Sequence, residues 1–178
     1  MEKQEIENKN QSPKINIGID AEGRKQICEN LSRVLSDTFL MALKTQNYHW
    51  NVTGRMFKSL HVLFEEQYKD LYEAADLIAE RMRALGEFAP GSFSAFSKQT
   101  AIKEETGIPS SDEMISNLIK GHETIVEALN EGIRKCDDVS DDATQDMLIA
   151  RVQEHEKQAW MLRSLITPQE SSVQNTDH

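Results

Sequence analysis

Two pairs of potential metal ligands lie in one stretch of the chain, Phe57–Gly86, FKSLHVLFEEQYKDLYEAADLIAERMRALG. The first pair is His61 with Glu65, and the second is Asp76 with Glu80. The members of each pair are four positions apart, so on a helix they project from the same side of adjacent turns. Each pair could therefore supply two ligands to a metal ion.

The mixture of imidazole and carboxylate groups indicates which metals such a site would prefer. Iron, manganese and zinc accept nitrogen and oxygen ligands together, whereas calcium and magnesium prefer oxygen alone. No cysteine lies in the stretch, so nothing there selects a structural zinc ion. The residue types leave iron, manganese and zinc open.

The two pairs are too far apart to close one site within a single chain. Apolar residues recur every three or four positions through the stretch, which predicts a single helix. His61 and Asp76 would be about 22 Å apart along its axis, whereas metal–ligand bonds are about 2 Å. Two copies packed antiparallel about a two-fold axis would bring the pairs together twice, because such a contact is reciprocal. We infer a metal site between subunits.

A second interpretation of the same residues needs no metal. Acids on a long helix are usually solvated, and here Asp76 or Glu80 could pair with Arg83. A histidine beside an apolar stripe is usually packed, and we expect this of two others. His122 and His155 each replace an apolar residue in a later helical stripe, so we expect both to be buried and hydrogen-bonded.

The sequence around this helix predicts three more long helices. The first has an N-cap at Asp20 and ends near Val52, and Gly54 then allows the chain to turn. The short turn makes the first two helices antiparallel neighbours and can bring His49 beside His61.

A long crossover follows the second helix, and SAFSKQTAI within it predicts a short helix. Ser110 and Glu113 form a capping box for the next long helix, which runs from about Ser111 to Cys136. The linker DDVSDD leads to the last helix, roughly Asp141–Thr167, which Pro168 stops.

These elements predict an all-α fold, a ferritin-like four-helix bundle with a short helix in the crossover between its second and third helices. A chain of 178 residues is long enough for one such domain. We divide it into a flexible N-terminal tail (1–19), the bundle domain (20–167) and a disordered C-terminal tail (168–178), because both tails are poor in apolar residues.

The composition limits the partners and the compartment. With 30 acidic and 20 basic residues the net charge is −10, which opposes attraction to nucleic acid or an anionic membrane and suits attraction of cations. Two cysteines without a CxxC motif favour a reducing cytoplasm. The sequence has no signal peptide and no apolar run of membrane-spanning length, so we expect a soluble, cytoplasmic protein.

Three segments, NYHWNVTGRMF, SLHVLFEEQYKDLYEAADLIAERMRALG and EKQAWMLRSL, resemble in order and spacing the Dps family of mini-ferritins, the DNA-binding proteins of starved cells. The likeness spans about residues 25–167. Ferritins with a site inside one bundle carry Glu-x-x-His on two helices, and that motif occurs nowhere in this chain. The resemblance therefore agrees with a site between subunits.

The resemblance implies a ferroxidase site between two-fold-related subunits. Its ligands would be His49, His61 and Glu65 of one subunit with Asp76 and Glu80 of the other. The position of Glu65 is commonly aspartate in the family. Glutamate keeps the carboxylate but reaches one methylene further, so we expect metal binding to survive and any metal–metal distance to shift.

The resemblance also implies the activity. In a dodecameric shell, Fe(II) would be oxidised at these sites, preferably by hydrogen peroxide, and stored inside as a ferric mineral, which protects DNA. Trp50 resembles a family tryptophan that sits by the iron site and gives up an electron. Asp142 and Asp146 resemble acids that line iron pores on three-fold axes, although the helix dipole alone would explain acids at a helix start.

Two other functions remain open on the sequence. A nucleoid-associated protein that compacts DNA would need positive charge, but the three lysines of the N-terminal tail are offset by three glutamates. We therefore expect no DNA binding through this tail. A purely structural helical oligomer would bind no iron.

Overall fold

The computed structural model of the chain describes residues 15–166, and no β-strand occurs among them. The helices of this part are α1 (Ala21–Asn51), α2 (Phe57–Leu85), α3 (Phe93–Gln99), α4 (Ser111–Val139) and α5 (Asp142–Arg163). Four of them are long, and α3 is the predicted short helix of the crossover. The predicted all-α fold is confirmed.

The four long helices pack around one apolar core. α1 packs along both α2 and α4, α4 packs along α5, and α3 lies against α1. The predicted apolar stripe of α2 faces this core through Leu60, Phe64, Leu71, Ala75, Ile78, Met82 and Leu85. Phe57 was expected to belong to the stripe, but it is 46% exposed because it is the first residue of the helix, beyond the edge of the core.

The sequence signals at the helix ends act as expected. Asp20 accepts a hydrogen bond from a first-turn N–H of α1 at 2.7 Å, and Ser110 with Glu113 forms the capping box of α4. Gly54 and Gly86 have φ angles of 104° and 102°, which glycine adopts without a Cβ clash. The chain can therefore turn sharply between α1 and α2, and α2 ends at Gly86.

The junction between α4 and α5 differs from the prediction. α4 continues beyond Cys136 through most of the predicted linker, so that only Ser140 and Asp141 separate the two helices. Ser140 adopts a left-handed φ of 57°, and Asp141 caps α5. Arg81 of α2 holds the junction by donating to Asp141 Oδ1 and to Thr144 Oγ1, each at 2.7 Å.

The ends of the described chain refine the predicted boundaries. α5 ends at Arg163 rather than near Thr167, and the Ser164 hydroxyl donates to the Trp160 carbonyl there. Of the predicted tails, residues 1–14 and 168–178 lie outside the described residues, whereas Ile19 packs against the core. Within residues 15–166 no helix has both the length and the apolar character needed to cross a membrane.

Candidate metal centre

The turn between α1 and α2 places two histidines against each other. His49 lies in the last turn of α1, and His61 lies one turn into α2. Their imidazole rings are stacked, with centroids 3.8 Å apart. His49 Nδ1 is 2.7 Å from the His61 carbonyl oxygen, and His61 Nδ1 is 2.8 Å from the His49 carbonyl oxygen. The predicted proximity of the two residues is confirmed.

These reciprocal hydrogen bonds fix the tautomer of both rings. A backbone carbonyl can only accept a hydrogen bond, so each Nδ1 carries a hydrogen and donates it. In a neutral imidazole the other nitrogen, Nε2, then has a free lone pair. Histidines that bind metals usually donate their second ring N–H to a carbonyl or carboxylate in this way. Both imidazoles are therefore prepared to bind a metal ion through Nε2.

Two aromatic side chains hold the imidazoles in place. The ring of Tyr68 meets that of His49 edge-on at 5.3 Å, and the ring of Phe57 lies 5.3 Å from that of His61. Sequence reasoning assigned both aromatic residues to the core and missed this contact. The only available signal was their position on α2, one four residues before His61 and the other seven after it.

Glu65 lies one turn after His61 and already has a partner. Its carboxylate accepts a hydrogen bond from Lys69 Nζ at 2.5 Å, and this contact lowers the pKa of Glu65 and raises that of Lys69. The nearby imidazoles of His49 and His61 also lower the pKa of Glu65. The sequence analysis overlooked Lys69, although its place four residues after Glu65 is the usual spacing of a helical ion pair.

Asp76 and Glu80 are exposed, and neither makes a hydrogen bond or an ion pair with any residue from 15 to 166. The pairing with Arg83 that we considered does not occur. Arg83 instead donates to the Glu87 carbonyl at 3.0 Å and lies 4.1 Å from the centre of the Phe88 ring. Both carboxylates are therefore available to a ligand.

The single chain does not assemble these groups into one site. In the described part of the chain no three His, Cys, Asp or Glu side chains are close enough together to hold a metal ion. His49, His61 and Glu65 lie near the turn that joins α1 to α2. Asp76 lies about 22 Å beyond His61 and about 17 Å beyond Glu65 along the same helix, and Glu80 lies one turn further, given the rise of about 1.5 Å per residue.

Apolar side chains are exposed on the same two helices as the ligands. Trp50, which directly follows His49, is 62% exposed and does not belong to the core. Phe57, Val62 and Leu77 of α2 are also exposed, to 46%, 44% and 56%. The described residues of α1 and α2 therefore expose apolar area both near the histidines and near Asp76.

The remaining predicted residues fall into two groups. Asp142 and Asp146, the acids assigned to a pore, are exposed near the start of α5, whereas their neighbour Asp141 is buried as the helix cap. His122 and His155 are both buried, with their Nδ1 atoms 2.9 Å apart, so each is the hydrogen-bond partner of the other. The expectation that both are buried and hydrogen-bonded is confirmed.

Comparisons with known proteins agree with this architecture. The family model of the ferritin-like domain matches residues 28–170, which defines the class of the protein. A relative from Nostoc, known as an uncharacterized low-temperature-induced protein, is 42% identical over 159 residues, 88% of this chain and 89% of its own. The DNA protection during starvation protein of Brevibacillus brevis is 34% identical over 136 residues, which cover 76% of this chain and 91% of the relative.

A solved structure gives the same result. The Dps protein from Vibrio cholerae, described as a member of a broad superfamily of ferritin-like diiron-carboxylate proteins, superposes with a TM-score of 0.82. It is 28% identical, and the match covers 86% of this chain and 98% of that one. The chain therefore belongs to the Dps family of ferritin-like proteins.

Proposed function

We propose that the protein is a ferroxidase and iron-storage mini-ferritin. It oxidises Fe(II), preferably with hydrogen peroxide, at sites between subunits and stores the ferric product as mineral, which protects DNA from oxidative damage. The observation that carries this proposal is the divided ligand set. Two histidines have Nε2 free at one place on the chain, and two unpaired carboxylates lie about 22 Å away along α2.

A second copy of the chain would complete this ligand set. When α2 of one subunit packs antiparallel to α2 of the other about a two-fold axis, Asp76 and Glu80 of each can face His49 and His61 of its mate. The exposed apolar residues between and beside the ligands would be covered by the same contact. Burying them is a favourable contribution of about 25 cal/mol for each Å² removed from water.

The ligands suit the oxidation of iron. The imidazole nitrogens bind Fe(II), and the carboxylates of Glu65, Asp76 and Glu80 stabilise the additional positive charge of Fe(III). Hydrogen peroxide accepts two electrons and two protons to give two water molecules. Two ferrous ions held together supply both electrons in one event, so no hydroxyl radical is released. Trp50, next to His49 in sequence, would give up an electron when only one iron is bound.

The assembly follows from the family. We propose a dodecameric shell built from two-fold dimers, located in the cytoplasm, with Asp142 and Asp146 lining the pores through which iron enters. Their exposure and the absence of any ion pair to them among residues 15–166 support this role.

The proposal can be tested by loading the protein with Fe(II) in the absence of oxygen, adding an oxidant and measuring the absorbance of the ferric product. We expect rapid oxidation on addition of hydrogen peroxide and slower oxidation with dissolved oxygen, with the ferric product remaining in solution inside the shell. The same buffer without the protein, at the same pH, is the control. Oxidation no faster than in buffer would refute the ferroxidase activity.

Replacement of Lys69 should strengthen metal binding. The ammonium group of Lys69 forms an ion pair with the Glu65 carboxylate in the metal-free chain, so a metal ion that binds Glu65 must displace this ammonium group. The pair is exposed, and surface ion pairs are weak, so we expect Lys69→Met to tighten the binding of Co(II), a stable substitute for Fe(II), by about two- to fivefold. Titration of the Co(II) absorption measures this. Lys157→Met, which removes an exposed lysine paired with Glu154, is the matched control and should have no effect.

A DNA-compacting role is the second candidate, and the name of the Brevibacillus relative favours testing it. We expect no shift of duplex DNA in a gel at physiological salt, because the chain carries a net charge of −10 and its N-terminal tail is neutral. A shift that persists at physiological salt would contradict this expectation.

A further inference from the structure

Three lysines from three different segments meet at one pocket away from the metal ligands. Lys44 comes from α1, Lys103 from the crossover and Lys120 from α4, and the pocket between them has a volume of about 260 Å³. No acidic residue lines it, although acids outnumber bases in the chain and the net charge is −10. The pocket is therefore a local concentration of positive charge on an acidic protein.

These three lysines make no ion pair within residues 15–166. None of the three is within 4.0 Å of an acidic oxygen in the described part of the chain. Lys44 is partly buried, and desolvation lowers its pKa; attraction to Glu105 opposes this effect, and a smaller repulsion from Lys103 adds to it. Glu105 is engaged elsewhere, because it accepts hydrogen bonds from the Tyr48 hydroxyl and a backbone N–H. An anion in the pocket would be attracted by all three lysines.

The walls of the pocket are held by hydrogen bonds that do not involve the lysines. The buried carboxylate of Asp37 accepts from the Thr100 hydroxyl at 2.8 Å and from the Ala101 N–H at 2.6 Å, which ties the crossover to α1. Asn117, which also lines the pocket, donates one amide hydrogen to the Tyr48 hydroxyl at 3.1 Å. Its second amide hydrogen has no partner within residues 15–166, so it is free to donate to a ligand.

We propose that this pocket binds a free tetrahedral oxyanion of the phosphate class, held by Lys44, Lys103 and Lys120. Lysine ammonium groups bind phosphate as point charges, and the amide of Asn117 adds a neutral donor. The pocket is smaller than the 300 Å³ or more typical of sites for larger organic ligands, which suits a small anion. The net negative charge of the chain disfavours duplex DNA as the source of the phosphate. The inference does not depend on the ferroxidase activity.

Calorimetric titration of the metal-free full-length protein with sodium phosphate, at constant ionic strength in chloride buffer, tests the site. We expect saturable binding with one phosphate per chain. Lys120→Gln and Lys44→Met should each weaken it about tenfold, the lower end of the effect expected for a hydrogen bond to a charged group. Lys98→Gln removes an exposed lysine that does not line the pocket and should leave the affinity unchanged.

The possible results separate the site from general attraction. Absence of saturable binding to the wild-type protein would overturn the proposal, as would equal weakening by Lys98→Gln and Lys120→Gln. A short duplex DNA serves as the second titrant. Binding of that duplex through Lys120, without binding of free phosphate, would also overturn the proposal. Circular dichroism of each variant establishes that the helices are intact.

Discussion

A mixture of two inactive variants should recover iron oxidation. Chains carrying His61→Ala and chains carrying Asp76→Ala, each alone, should oxidise Fe(II) at least about a hundredfold more slowly than wild type. Losing even a residue that only hydrogen-bonds to a metal ligand costs about 10- to 100-fold. Co-expressed in equal amounts, they should reach about a quarter of the wild-type rate. In a mixed dimer one site contains both alanines and the other contains neither, and random pairing makes about half of the dimers mixed.

A second mixture provides the matched control. His61→Ala and Glu65→Ala alter ligands that the proposed site takes from the same subunit, so every site of a mixed dimer keeps one defect. This mixture should stay as slow as the single variants. If the His61→Ala and Asp76→Ala mixture also shows no recovery, although native mass spectrometry finds mixed dimers, the ligands do not come from two subunits and the proposed site is wrong.

Acid should destabilise the protein through the buried histidine pair. Burial lowers the pKa of His122 from 6.5 to about 4, and burial also lowers that of His155. A proton therefore binds the unfolded chain more readily, so the stability due to neutral His122 is complete above about pH 6.5 and is lost as the pH falls towards 4. A difference of one pKa unit corresponds to about 1.36 kcal/mol, so the free energy of unfolding should fall by about 3 kcal/mol.

Urea unfolding followed by circular dichroism at pH 7 and pH 4.5 measures this loss. His122→Gln, which retains a polar side chain without a titrating group, should be less stable at pH 7 but should lose less stability on acidification. Leu129→Ala, which makes a cavity in the core and keeps both histidines, is the control for general destabilisation. Equal acid sensitivity in wild type and His122→Gln would show that the pair does not titrate as described.

Much of the fold could be predicted because the sequence carries strong local signals. Asp20, Gly54 and Gly86 mark helix ends by chemistry that depends on only a few neighbouring residues. The α4–α5 junction could not be predicted in the same way. Ser140 adopts a left-handed conformation usually reserved for glycine, and it does so where Arg81, distant in sequence, fixes the following residue.

The proximity of His49 and His61 was predictable from the sequence, but the bonds between them were not. Spacing placed Glu65 one turn after His61, and the short turn was expected to bring His49 beside His61. The reciprocal hydrogen bonds between the histidines depend on the register of α1 against α2, which periodicity does not determine. Similarly, the apolar stripes of the last two long helices predicted that His122 and His155 are buried. Only the packing of α4 on α5 shows that their imidazoles are hydrogen-bonded to each other.

The two carbonyl bonds that join His49 and His61 have a consequence for how this protein can change. Each imidazole is oriented by the main chain of the other residue, so a residue inserted or deleted between Val52 and Met56 would misalign both rings together. Loops elsewhere in a protein usually tolerate such changes. At the proposed metal site, the ligand geometry would constrain the number of residues in this surface turn, and we expect variation in length to be confined to the other connections of the bundle.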